Sequence, residues 1–483
     1  MEVRASPASS REAPFKPFEF ITFSKPNESK EDARRRIRRA AAAGPRRRTK
    51  KEKLMQNEVV LDIAAPSPRD VPIGQSKQLH IIASAQSTEF KSSPSSILSA
   101  SRIDPFFSYP IDMSPRDLEL YNHLFDGTCN KFRTMRDIGF FTRIRESTGF
   151  LQVISSSSWS LAHLKNTGDK SEYLHYNDRA MKQLQRRIRD PAHSLGIDVV
   201  LGIMTFVCFA NLSQNKATLR IHLAGLQDIV ERRGGLLTLD PDPTIKMMLF
   251  LTAVNSAHMD DIVPIFPLPA GITSQYNKIP QFPIRNLDPP DSGSSLDDDP
   301  VIQRTIADMA EINSQIRLGL HFRNLWADPN FANYHLLPLL HGLLSQPRPI
   351  TLDLSGTSLR LECFRLAAIL YVTSIRERFG FDDGSENLYV LKIKAFLGGD
   401  LPNWHGENVY LMWILLNAAV SSQTLSTVCQ NWFLSRLYQV ASLEGITSVK
   451  ELRSAMIGFC WSEKALGDRW VLLTEENFTK HVG

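Results

Sequence analysis

The chain has 483 residues, 42% hydrophobic and 22% charged, with 25 Gly and 28 Pro. That length allows roughly two to three domain-sized units, and the composition excludes a collagen, a small disulfide scaffold and wholesale disorder. The formal net charge is +5, yet residues 34–53 hold eleven Arg or Lys against one Glu, a local +10 that leaves −5 elsewhere. A polybasic segment on a mildly acidic body is the first functional signal.

Residues 1–110 contain 16 Ser and 11 Pro and only short apolar patches. Such a stretch cannot bury enough surface to offset its ordering entropy, so residues 1–103 are expected to form a disordered arm. A basic helical island is expected within residues 30–53. In SKEDARRRIRRAAAAGP, Ser29 and Asp32 have capping-box spacing, Arg and Ala are good helix formers, and Gly44-Pro45 stops the helix. Arg34, Arg35, Arg36, Arg38 and Arg39 cover slightly more than half of its circumference, with Ile37 on the remaining side. Arg46, Arg47, Arg48, Lys50, Lys51 and Lys53 follow directly.

Three readings of these eleven cations stay open. Two basic clusters separated by Ala40–Pro45 have the form of a bipartite nuclear import signal, whose partner is an import receptor. Bidentate guanidinium–phosphate contacts and counterion release suit non-specific DNA binding. That binding would carry little sequence information, because residues 34–53 contain no Asn or Gln to read bases. The third reading is an uncommitted solvated tail. A membrane-surface role is disfavoured, since the helix has almost no apolar face to insert.

From about Asp104 the texture changes, and residues 104–483 are expected to form one helical body. Ser114-Pro115-x-Asp117 opens a helix ending near Gly127, with Leu118, Tyr121, Leu124 and Phe125 on one face. A second helix carries Leu174, Met181, Leu184 and Ile188. The run Ile197–Leu212 is apolar nearly all round and suits a central helix. Leu219, Leu223, Leu226 and Val230 form a helical stripe that Gly234-Gly235 terminates. Residues 263–300, rich in Pro and Asp, read as a long surface loop between two helical halves. Helices then resume at roughly 301–318, 332–345, 358–379, 406–422, 424–442 and 448–466. No run of alternating strands and no fixed repeat occurs, so the expected fold class is all-α, an irregular multi-helix domain behind a disordered N-terminal arm.

Catalytic and metal signatures are missing. There is no GxSxG elbow, HExxH, Walker A loop or GxGxxG. Cysteines stand at 129, 208, 363, 429 and 460 with no CxxC, which fits reduced, mostly buried thiols and offers no zinc site. Asp297-Asp298-Asp299 reads as solvated loop rather than a cation site. His222, beside its helix's apolar stripe, reads as a core or helix-surface histidine. Gly398-Gly399-Asp400 and Trp404-His405-Gly406-Glu407 have site-like residues but equally form a turn into the next helix. No enzyme activity, cofactor, catalytic residue or metal is therefore expected. The N-terminal residues lack a secretory apolar core, and the runs at Val199–Leu212 and Val409–Val420 fall short of the ~20 residues a bilayer needs. An intracellular location is expected, with no membrane partner.

The segment DPAHSLGIDVVLGIMTFVCFANLSQNKATLRIHLAGLQDIVERRGGL (190–236) resembles the fungal-specific transcription factor domain, the regulatory body of many fungal zinc-cluster transcription factors. The likeness centres on a hydrophobic helix, a short polar link and a helix reading H-x-x-G-L-x-x-I-V-x-x-R-G-G. RLECFRLAAILYV (360–372), WHGENVYLMWILLNAAVSS (404–422), FCWSEKALGDRW (459–470) and the upstream DPFFSYPI (104–111) agree with it, from about Asp104 to the end of the sequence. The resemblance implies a nuclear transcription regulator whose helical body takes protein co-regulators or a small effector. The family's usual six-cysteine zinc cluster has no counterpart, because no cysteine precedes Cys129. In its place stands FEFITFSKPNESKEDARRRIRRAAAAGPRRRTKKEK (18–53), similar to segments of zinc-cluster-free relatives. A nuclear scaffold or co-regulator that never touches DNA is the alternative, and an enzyme with an unrecognised site stands third.

Overall fold

The computed structural model describes residues 109–145, 147–166, 171–239, 243–269, 296–322, 324–348, 356–381, 384–398, 404, 406–476 and 478. Among them there is no strand, and the architecture is all-α. The basic helical island and the rest of residues 1–103 lie outside the described residues.

The first half begins with α1 (Pro115–His123), α2 (Asn130–Asp137) and α3 (Phe140–Ile144). Ser114 and Asp117 form the expected capping box, Asp117 N–H donating to Ser114 Oγ at 3.2 Å and Ser114 N–H to Asp117 Oδ2 at 2.9 Å. The helix stops at His123, and its buried face is Leu120, Tyr121 and Leu124 rather than one containing Leu118, which is half-buried. Asp117 lies on that same face, where its Oδ1 accepts the buried Tyr176 hydroxyl at 2.5 Å.

Next come α4 (Phe150–Leu164), α5 (Ser171–Arg189), α6 (Ile197–Leu212) and α7 (Lys216–Arg232). The serine run of α4 lets neighbouring helices approach closely while each hydroxyl stays satisfied. Ser155 donates to Tyr173 O at 2.8 Å, Ser157 to Leu120 O and Ser158 to Glu172. The entry to α4 and the middle of α6 meet nearly backbone to backbone, since a Cβ on Gly149 would reach Thr205 Cγ2 at 2.8 Å and one on Gly202 would reach Thr148 Oγ1 at 2.5 Å. The stripe Leu219, Leu223, Leu226 and Val230 is buried as expected, and α7 closes at Gly234, whose φ of 102° lets Gly235 N–H reach Val230 O at 2.9 Å.

The second half contains α8 (Pro243–Asp260), α9 (Pro300–Phe322), α10 (Leu337–Ser345), α11 (Gly356–Arg378), α12 (Glu386–Phe396), α13 (Asn408–Ser421), α14 (Thr427–Leu443) and α15 (Val449–Phe459). A π-helical turn, Ala332–Leu336, leads into α10. The helix expected over 448–466 breaks at Cys460 and resumes as the short turn Glu463–Leu466. One hydrophobic core runs through both halves, and Phe266 and Leu296 pin the two ends of the expected 263–300 loop into it. Residues 270–295 of that loop lie outside the described residues.

α11 is buried along nearly its whole length although it carries Arg360, Glu362, Arg365 and Arg376. The three arginines each fasten a different part of the body to it, and Glu362 steadies Arg365 from within the helix. Arg365, 1% exposed, forks onto Asp261 just beyond α8, with Nη1–Oδ1 at 2.9 Å and Nη2–Oδ2 at 3.0 Å. It also holds Glu362 through Nε at 2.8 Å. Arg348, beyond α10, and Lys392 of α12 reach the same Asp261 at 3.1 and 2.5 Å. Asp261 itself occupies the left-handed region at φ 49°, which lets Ile262 N–H bond Ala257 O and close α8. Arg360 pairs with Glu407 before α13, and Arg469 ties the C-terminal turn to Ser374 and Glu377.

Burial alone would raise the Asp261 carboxyl, but Arg365, Lys392 and Arg348 outweigh it and hold the group well below the usual carboxylate range. With the folded-state value below the unfolded one, this stabilisation is fully present above about pH 4 and is lost as pH falls through the folded-state value. Asp261→Asn should therefore lower stability at neutral pH by about 3–5 kcal/mol, leaving Arg365 short of a buried partner. It should also flatten the fall in Tm between about pH 5 and pH 2 relative to the unsubstituted chain. Acid titrations of Tm with parallel slopes would contradict the assignment.

Candidate ligand cavity

The helices leave a cavity of about 60 Å³ between α2, α6, α8, the π-helical turn and the end of α11. α2, α6 and α8 each contribute a stripe at helical spacing, because residues three or four apart share a face. Lys131, Thr134 and Met135 come from α2, and Cys208 and Asn211 from α6. Met248, Leu251, Thr252 and Asn255 come from α8. Asn333 sits on the π-helical turn, Arg376 ends the buried part of α11, and Phe381 follows it. A π-helical turn widens the backbone locally and is frequent where a helix serves a site.

Hydrogen bonds fix the polar part of this wall. Asn333 Nδ2 donates to Thr134 Oγ1 at 3.2 Å, joining the π-helical turn to α2. Asn255 Nδ2 donates to Leu251 O at 2.7 Å, which points its Oδ1 at Arg376 Nη2, 2.6 Å away. The guanidinium, 3% exposed, reaches His258 Nδ1 at 3.5 Å and lies over the Phe381 ring at 6.0 Å. His258 in turn touches the hydroxyls of Thr373 at 2.9 Å and Ser385 at 3.1 Å, and Tyr389 donates to its carbonyl at 2.5 Å. The cavity wall is thus continuous with a buried polar chain that joins α8, α11 and α12.

Among the described residues the wall presents two cationic side chains, three carboxamides and two hydroxyls around an apolar floor. A smaller apolar recess of about 10 Å³ adjoins it, sharing Lys131, Met135 and Cys208 and bounded by Phe132, Phe140 and Phe141. An apolar space with a few convergent polar groups is the usual form of a small-molecule site.

The eleven cations singled out in the sequence, Arg34 to Lys53, lie outside the described residues. His222 is 2% exposed, packs on Phe206 at 5.3 Å, and burial pushes its pKa down to about 4. It is a neutral core histidine. Glu407 accepts Leu296 N–H with one oxygen and Arg360 with the other, so its carboxylate anchors the loop end. Trp404 is buried, while Gly399, Asp400 and His405 lie outside the described residues. Asp297 accepts the Tyr410 hydroxyl at 2.5 Å, and Asp299 caps α9 through Val301 N–H at 2.7 Å. Among the described residues no three His, Cys, Asp or Glu side chains gather as a metal site, and no helix is long and apolar enough to cross a membrane. The five cysteines are free thiols.

Residues 140–256 match the family model of the fungal specific transcription factor domain. The matched segment runs from the start of α3 into α8 and supplies the α6 and α8 walls of the cavity. The resembling segments at 104–111, 360–372, 404–422 and 459–470 lie outside it. No curated protein and no solved structure matches the chain.

Burial pushes the Cys208 thiol up to about 12, so it stays protonated at neutral pH. Iodoacetamide at about pH 7.5 should leave Cys208 unmodified in the native chain and alkylate it in urea, read by peptide mass spectrometry. Rapid native labelling would show that the cavity is open or the thiol ionised.

Proposed function

We propose that the chain is a nuclear transcription regulator whose helical body takes a small effector in the cavity between α2, α6, α8 and α11. The observation that carries this reading is the match of residues 140–256 to a transcription factor domain, which is not an enzyme family. Two of the matched helices are also walls of the cavity, and the Arg376–His258 chain connects that wall to α11 and α12. Occupancy of such a cavity shifts the body only by the ligand's differential affinity for two arrangements of those helices. Protein co-regulators are then the readers of the shift.

Residues 34–53 have a separate job in this proposal. Their two clusters engage a nuclear import receptor, and the same guanidinium and ammonium groups contact DNA phosphates without reading sequence. Nuclear location follows from the regulator reading together with that signal.

Replacing Arg34–Arg36 and Arg46–Arg48 with Ala should redistribute a fluorescent fusion of the full chain from nucleus to cytoplasm. Nuclear accumulation equal to the unsubstituted fusion would remove the import role from these residues.

A further inference from the structure

Helix α5 buries one face and leaves the opposite one bare and basic. Tyr176, Asn177, Ala180, Met181, Leu184 and Ile188 are buried, whereas His175, Arg179, Lys182, Gln183, Arg186 and Arg189 are all exposed. At about 100° per residue, the six exposed side chains fall within an arc of about 120°. We infer that this face is a second DNA-contacting surface, seated on the phosphates of duplex DNA by Arg179, Lys182, Arg186 and Arg189 and independent of residues 34–53.

Free charge is the first argument. Arg179, Arg186 and Arg189 make no side-chain hydrogen bond or ion pair among the described residues. Lys182 has Asp178, one turn away at 2.6 Å, an exposed pair that water and salt weaken. The other carboxylates around the helix are engaged elsewhere: Glu172 with Arg116 and Ser158, Asp190 with His193, and Asp198 with Arg187. Buried Asp117 meets Arg179 only through space. The helix dipole accounts for cations in the last turn, such as Arg186 and Arg189, but not for Lys182 and Arg179 one and two turns earlier.

Spacing is the second. From Arg179 to Arg189 the helix rises about 15 Å, the axial distance over which one strand of a duplex carries about four phosphates. Guanidinium groups hold phosphate oxygens bidentately, and Gln183, exposed in the same arc, adds a neutral donor toward the backbone. The make-up of the face separates DNA from other anionic partners. None of the exposed large apolar side chains among the described residues belongs to α5. The face therefore lacks the apolar anchors that a protein partner packs against and the apolar side that a membrane surface takes up. A nucleic-acid backbone needs neither. Duplex DNA is the polyanion that the nuclear-regulator reading supplies, and only that choice rests on the reading.

The test is fluorescence anisotropy of the full chain on a mixed-sequence DNA duplex across a salt series, in a background where the eleven Arg and Lys of 34–53 are Gln. That background should keep salt-dependent binding at low salt. Adding Arg179→Gln, Lys182→Gln, Arg186→Gln and Arg189→Gln should weaken it by about tenfold or more and lower the slope of log K against log salt by about 3 in magnitude. Tm should stay unchanged, because the four side chains are exposed. Changing the three arginines to Lys instead should retain most of the binding, since the contacts read charge. Binding that the four Gln substitutions leave undiminished overturns the assignment to α5. A background chain that binds no DNA at low salt overturns it as well, and leaves residues 34–53 as the DNA contact of the proposed function. Labelled polyglutamate of matched charge should bind far more weakly than the duplex; equal binding would replace DNA with an acidic protein partner.

Discussion

The body is organised around a carboxylate that has no business being buried alone. Asp261 is fully enclosed, and three cations from three separate parts of the chain converge on it. Arg365 comes from the middle of α11, Arg348 from beyond α10 and Lys392 from α12. Glu362 shares the Arg365 fork and completes the hydrogen bonding of its guanidinium. Such a cluster is a poor source of net stability compared with an apolar core, but removing one member leaves charge stranded in low dielectric. It therefore specifies arrangement: α8, α10, α11 and α12 must meet at one point, and any register that separates them exposes an uncompensated ion to the core.

The cavity is a consequence of that arrangement. Asp261 lies one residue past α8, and Asn255 and His258 precede it on the last turns of that helix. Fixing the end of α8 against Arg365 places Asn255 and His258 against Arg376, eleven residues further along α11, and so aims a second guanidinium at the cavity. α6 and α2 close the opposite side, with the π-helical turn admitting Asn333. The polar chain through His258 to Ser385 and Tyr389 gives the wall a physical path to α12, at the same corner as the Asp261 cluster.

What the sequence reveals depends on how visibly each element breaks periodicity. α6 runs Ile197–Leu212 as expected, because it is an unmixed apolar run with polar residues on both flanks. α7 ends where two glycines permit positive φ. α8 is invisible to the same reasoning: buried all round, it has no amphipathic stripe, and it ends on Asp261, a left-handed residue that carries no glycine signal. α4 hides behind a serine run that resembles loop composition, although its hydroxyls are buried and bonded. Leu118 illustrates a different failure. Spacing places it in the core, but the face that is buried carries Asp117, bonded to the Tyr176 hydroxyl, with Leu120, Tyr121 and Leu124. The cavity residues were not legible at all. A cation in the last turn of a helix, as Arg376 is, usually answers the helix dipole, and Asn255 or Asn333 is an unremarkable polar residue until three other helices face it. Conversely, Glu407 looks like a site residue in sequence and is spent on anchoring a loop end, while Asp297, which reads as solvated loop, accepts the Tyr410 hydroxyl.

These strands join in one account: a helical body matching a transcription factor domain over 140–256, a cavity in that body, and a +10 segment at 34–53 for which we propose nuclear import and DNA contact. The central claim is that the chain regulates transcription on chromatin. The most direct measurement is a genome-wide chromatin occupancy map of the full chain, beside a variant in which the eleven Arg and Lys of 34–53 are Gln and a heterologous import signal restores nuclear entry. The account predicts chromatin enrichment of the full chain, at sites chosen by its protein co-regulators and held by phosphate contacts, and a marked loss of enrichment in the variant. A full chain with no enrichment above background, although nuclear, would contradict it.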